Sequence, residues 1–135
     1  MLNVFYWIFK IVTSLIILQT LFFKFTGAQE SIFIFEKMGL EPIGRIGSGI
    51  FELIAIILLW NPKTSILGAL SIIFIMLGAI ASHIFILGIE VQDDKGLLFG
   101  LALTSFVGGC YLFWYSMYKN KTQSVEFSKK LFLNE

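Results

Sequence analysis

Four apolar stretches take up most of the 135-residue sequence, and each is close to the length a helix needs to cross a bilayer. Crossing ~30 Å of hydrocarbon takes about 20 helical residues. The stretches run from about Val4 to Phe25, Ile43 to Trp60, Ile66 to Ile89 and Gly96 to Tyr118. Composition agrees, with 57% hydrophobic and 14% charged residues. A water-soluble body of this size has a high surface-to-volume ratio, and nine acids and ten bases cannot cover its surface. The expected fold class is therefore all-α, an integral membrane four-helix bundle over residues 1–118 with a polar cytoplasmic tail at 119–135.

The first stretch has a competing reading as a cleaved signal peptide, because Ile11 to Phe23 has the length of an h-region and Thr26-Gly27-Ala28 loosely resembles a cleavage site. The residues before it, Val4-Phe5-Tyr6-Trp7-Ile8-Phe9, are not a basic n-region, which favours a full span. Lys10 is then expected to carry its ammonium back to the headgroups along its aliphatic stem.

The connections differ in character. Thr26 to Pro42 holds Ile32, Phe33, Phe35 and Met38, which predicts a short interfacial helix ended by Gly39, with Pro42 opening the second span. Asn61-Pro62-Lys63-Thr64 reads as a tight turn, and Glu90 to Lys95 as a short acidic loop. The tail, despite Val125, Phe127, Leu131 and Phe132, is expected to be flexible.

Four spans place the amino terminus, the Lys63 turn and the tail on one side, together with Lys10, Lys63, Lys119, Lys121, Lys129 and Lys130. The other side receives Lys24, Lys37, Arg45, Lys95 and the loop acids. The positive-inside rule puts both termini in the cytoplasm of an integral cell-membrane protein, the inner membrane if the source is bacterial. Trp7, Trp60 and Trp114 fall on that same side, as interfacial tryptophans should, whereas three spans would scatter them. The sequon Asn120-Lys121-Thr122 is then cytoplasmic and not expected to be glycosylated.

Short connections make successive spans antiparallel neighbours, an up-down-up-down bundle. Small residues at four-residue spacing mark close helix contact in lipid. Gly96, Gly100, Thr104 and Gly108 form one such ridge, and Gly44 and Ser48 begin another that continues through Glu52.

Charged groups within a span cost about 2.5–3.5 kcal/mol or more and generally face the bundle interior. Glu52 lies nine residues into the second span, about 13 Å deep. His83 lies six residues before the end of the third, about 9 Å deep. Gln19 and Lys24 occupy the same half of the first span, and Thr104 and Ser105 that of the fourth. All four helices thus offer polar groups at similar depth, which predicts a pocket in the outer half centred on Glu52 and His83. Glu52, His83, Lys24, Gln19 and Thr104 are the candidate ligand-binding or proton-relay residues. A carboxylate and an imidazole at that depth can relay a proton or bind a small polar headgroup, a quinone among them. The bland alternative is that they hydrogen-bond and lock two helices. Lys24 reads either as an interfacial anchor or as the neutraliser of Glu52.

Other chemistry is excluded. A net charge of +1 with no basic stripe gives no nucleic-acid footprint. One cysteine, Cys110, cannot form an intrachain disulfide or a CxxC motif, and one histidine rules out a multi-histidine metal site. Cys110 in an apolar span is assigned no role.

Phe23-Lys24-Phe25-Thr26-Gly27, Met38-Gly39-Leu40, Gly49-Ile50-Phe51-Glu52-Leu53 and Met76-Leu77-Gly78-Ala79 with His83 resemble the DoxX and DoxX-like membrane proteins. The resemblance covers roughly residues 10–118. It implies a compact four-span bundle, and association either with quinone-linked redox complexes or, as in eukaryotic relatives, with assembly and trafficking of membrane proteins. Three functions follow as expectations: a redox-associated subunit binding a quinone or similar molecule, a scaffold for other membrane proteins, and a small-molecule or proton transporter. The last needs a homo-oligomer, since one chain of four spans without inverted repeats is small for alternating access.

Overall fold

The computed structural model describes residues 1–133, and its element order is all helical. Helix α1 spans Leu2–Thr26, α2 Gln29–Lys37, α3 Ile43–Trp60, α4 Ser65–Ser82 and α5 Leu97–Leu133. Helix α4 continues through one π-helical turn, His83–Leu87. Four of these are long and apolar enough to cross a membrane, Leu2–Thr26, Ile43–Trp60, Ser65–Leu87 and Leu97–Leu133. The short α2 joins the first two. The protein is an integral membrane bundle.

The long helices close a ring in which α1 packs on α3 and α5, and α4 packs on the same two. The fully buried Ile17, Leu59, Ile72 and Leu112 contribute one large side chain from each span to its centre. Outward, Phe22, Phe51, Phe74 and Phe85 are exposed, which lipid accepts and water would not. Lipid tails are as apolar as leucine, so close packing and internal hydrogen bonds hold the ring together. Gly68 lies against the Leu59 backbone, a contact that leaves no room for a Cβ and sets the spacing of α3 and α4. Gly108 meets Thr13 of α1 in the same way, and Gly109 faces Ile72 and Ile73 of α4.

The connections form as their residues dictate. Gly27, at φ +67°, ends α1 in the left-handed conformation, its N–H donating to Phe23 O. Gly39, at φ +71°, ends α2, with the Leu40 N–H donating to Phe35 O at 2.8 Å. Asp94 orders the third loop: its carboxylate accepts from the backbone N–H groups of Val91 (2.9 Å), Gly96 (2.8 Å) and Leu98 (3.0 Å). Burial of that carboxyl pulls its pKa up, but the three N–H donors and nearby His83 outweigh it and hold it below the ordinary carboxylate value.

Several expectations are corrected. The tail is not a flexible segment through residue 133, because α5 runs on without a break to Leu133; residues 134 and 135 lie outside the described residues. Lysines and alanine-free polar stretches of this kind remain compatible with helix, and no glycine or proline interrupts residues 110–133. Of the ridge on the fourth span, Gly108 packs on another helix, whereas Gly100 and Thr104 are exposed. A step of four residues drifts about 40° around a 3.6-residue helix, so a row twelve residues long leaves the contact face. Lys10 is enclosed by aromatic rings. It is only 5% exposed, with its ammonium 5.4, 5.2 and 4.8 Å from the ring centres of Tyr6, Trp7 and Trp60. Three aromatic faces attract the cation and hold it within the bundle.

Candidate functional site

The residues at depth come together at the end of the bundle opposite the amino terminus, around an ion pair between α1 and α3. Lys24 Nζ lies 2.5 Å from Glu52 Oε1, and the Thr20 hydroxyl donates to Glu52 Oε2 at 3.3 Å. Thr20 and Lys24 stand one turn apart on α1, which aims both at the same point on α3. The Glu52 side chain is 5% exposed and that of Lys24 15%. Phe35 of α2 covers the pair, its ring centre 5.7 Å from the ammonium.

A second ion pair braces the first. Arg45, two turns earlier on α3, donates from Nε to both oxygens of Glu41 at 2.8 and 3.0 Å, with Nη2 2.7 Å from Oε1. Its Nη1 donates to the backbone carbonyl of Lys24, one of the acceptors that the end of α1 leaves unpaired. Arg45 therefore fixes the main chain of the residue whose side chain reaches Glu52. The sequence reading counted Arg45 only for topology. Its spacing of four from Glu41 and seven from Glu52, two turns along one face, was the signal available.

Of the candidate residues, the structure unites Lys24 and Glu52 and adds Thr20, Arg45 and Glu41. Lys24 faces inward to Glu52, not outward as an interfacial anchor. His83 is buried but has partners of its own: Nδ1 lies 2.9 Å from Gly88 O and the ring meets Phe99 edge-on with centres 5.6 Å apart. No hydrogen bond or ion pair links His83 to Glu52 among the described residues. Gln19 is exposed, and Thr104 is exposed with its hydroxyl donating to Gly100 O at 2.8 Å. Ser105, by contrast, is fully buried, and its hydroxyl has no partner among the described residues.

The π turn brings Gly88 back to His83. One extra residue in the turn re-aims the helix end and lets Gly88 N–H donate to His83 O at 2.8 Å, while the imidazole pairs with Gly88 O. Helix α2 rests on this turn as well as on α1 and α3, and Lys37 Nζ reaches Leu87 O at 3.4 Å.

Chemically, the Lys24 ammonium can donate to a carbonyl oxygen and the Glu52 carboxylate can accept from a hydroxyl, a few ångströms apart and largely away from water. No group of three or more His, Cys, Asp or Glu side chains could hold a metal ion among the described residues. Cys110 is a free, half-buried thiol. No family model, curated protein or solved structure matches the chain.

Proposed function

We propose that the protein is a DoxX-like, redox-associated accessory subunit that holds a quinone or a similar small molecule at the Lys24–Glu52 pair. The observation that carries this reading is a buried ion pair closed over by a nine-residue helix and not by a span. Desolvating two charges costs several kcal/mol per ion, and structural locking is achieved more cheaply by apolar side chains. Ionisable groups inside membranes accordingly mark ligand or proton sites. Lys24 donates to a quinone carbonyl, Glu52 accepts from a quinol hydroxyl, and Phe35 lies against the ring between them. The motifs around Lys24, Glu52 and His83 that resemble DoxX-like proteins support the same reading. The lysine distribution supports cytoplasmic termini, which puts this site in the outer half of the membrane.

The test is a titration of purified protein in neutral detergent with a short-tailed quinone, read by thermal shift. Wild type should be stabilised saturably, and Glu52→Gln should abolish the effect while Gln19→Ala leaves it intact. No shift in wild type, together with no quinone extracted from the purified protein, overturns the proposal.

One observation favours a second reading, that of a scaffold for membrane partners. Helix α5 is 37 residues long, about 55 Å, and so extends well past one bilayer face with Phe127, Leu131 and Phe132 exposed. Loss of a defined co-migrating complex on deletion of residues 124–135, with quinone binding absent throughout, selects this reading.

A further inference from the structure

The amino-terminal end of the bundle, remote from the ion pair, holds an arrangement that neither reading uses. A cavity of about 330 Å³ opens there between the start of α1, the α3–α4 turn and α5. Its polar lining comprises Asn3, Ser65, Ser116, Lys119, Asn120 and Gln123, with no acid among them.

Against the back of that lining sits the buried Lys10. Its ammonium contacts the rings of Tyr6 and Trp7, both of which wall the cavity. Among the described residues Lys10 has neither a hydrogen-bond acceptor nor a counter-ion, although it is 5% exposed. Lys119, a second cation, stands on the cavity wall. Ser65 begins α4, an 18-residue helix whose first turn has no side-chain cap, so the positive end of its dipole also faces this region. Two cations and a helix amino terminus converge here with no acid in the cavity lining, an excess of positive charge. An anion is the group that relieves it.

We propose that this cavity is a binding site for a phosphate group, with Lys119 and Lys10 supplying charge and the Ser65, Ser116 and Asn120 side chains donating hydrogen bonds. A second cavity of about 520 Å³ adjoins it, sharing Asn3, Tyr115 and Lys119 and adding Met1, Leu2 and Tyr118. That apolar neighbour fits the tail of an amphiphile beside the phosphate. The aromatic ring around it, Trp7, Trp60 and Trp114, sets it at headgroup depth. A phospholipid headgroup and a free phosphorylated solute share this chemistry, and the binding experiment separates them.

The full chain in neutral detergent is titrated with dioctanoyl phosphatidylglycerol, dioctanoylglycerol and inorganic phosphate, read by the fluorescence of the flanking tryptophans. Saturable binding of the phospholipid but not of dioctanoylglycerol or phosphate assigns a lipid headgroup. Binding of phosphate as tight as that of the phospholipid assigns a soluble phosphorylated compound. In either case Lys119→Gln weakens binding about tenfold, the loss of one charge-assisted contact, Lys10→Met, which removes a charge from behind the lining, weakens it less, and Lys63→Gln, outside the cavity lining, stays within about twofold. Because Lys119 is exposed, its variant keeps the test decisive if Lys10→Met fails to fold. The proposal is overturned if no phosphate-bearing ligand binds, if Lys119→Gln binds like wild type, or if Lys63→Gln loses as much.

Discussion

At the scale of single residues, the Lys24–Glu52 pair sets the energetics of its end of the bundle. Removing one partner strands a charge in a site only 5–15% exposed, and such single changes cost about 3–5 kcal/mol. Removing both, with side chains of similar volume, restores most of that loss or exceeds it. Lys24→Met and Glu52→Leu should therefore each lower the melting temperature in detergent substantially, and the double variant should recover it. If the pair serves a ligand, the recovered double variant remains unable to bind quinone. A double variant as unstable as the sum of the two singles contradicts the coupling. Arg45 acts on the same residue from the other side by holding the Lys24 carbonyl. Arg45→Met thus frees both Glu41 and the end of α1, and it should lower the melting temperature in the same measurement.

At the scale of elements, helix spacing and loop order follow from particular backbone contacts. Gly68 abuts the Leu59 main chain, which cannot move aside as a flexible side chain can. Gly68→Ala should cost about 1–3 kcal/mol through overpacking. Gly100→Ala, with nothing within 4 Å, should be neutral or slightly stabilising through helix propensity. Equal effects at the two glycines would refute this account of the α3–α4 contact. The Asp94 loop carries a pH dependence whose sign is fixed. The Asp94 carboxyl titrates below its ordinary value in the folded protein. Its stabilisation is thus complete above the unfolded carboxylate pKa and is lost as pH falls through the lower, folded one. Asp94→Asn keeps one acceptor oxygen, loses the bond to Leu98 N–H and should flatten this acid-side loss, seen as amide exchange in residues 91–98 against pH.

For the whole molecule, two ends of different chemistry are joined by an apolar ring. One end has acids and bases matched, Glu41 with Arg45 and Lys24 with Glu52. The other has cavities whose linings hold Lys119 and no acid. The α5 extension contributes nothing to the core, since residues 117–133 are all exposed. Deleting residues 124–135 should therefore leave the melting temperature within a few degrees of wild type. A large drop would show that the extension packs in a way this arrangement does not contain.

Sequence alone determined the four crossings, the connecting helix ended by Gly39 and the clustering of tryptophans at one end, because bilayer thickness and backbone pairing act on local stretches of chain. It also marked Glu52 and Lys24, since any ionisable group at that depth demands a partner. Which partner was a matter of rotation about helix axes. One π turn brought Gly88 to His83, a drift of about 40° per four residues turned Gly100 and Thr104 outward, and three rings from two helices enclosed Lys10. Those outcomes depend on how distant segments face one another, and only the assembled bundle decides them.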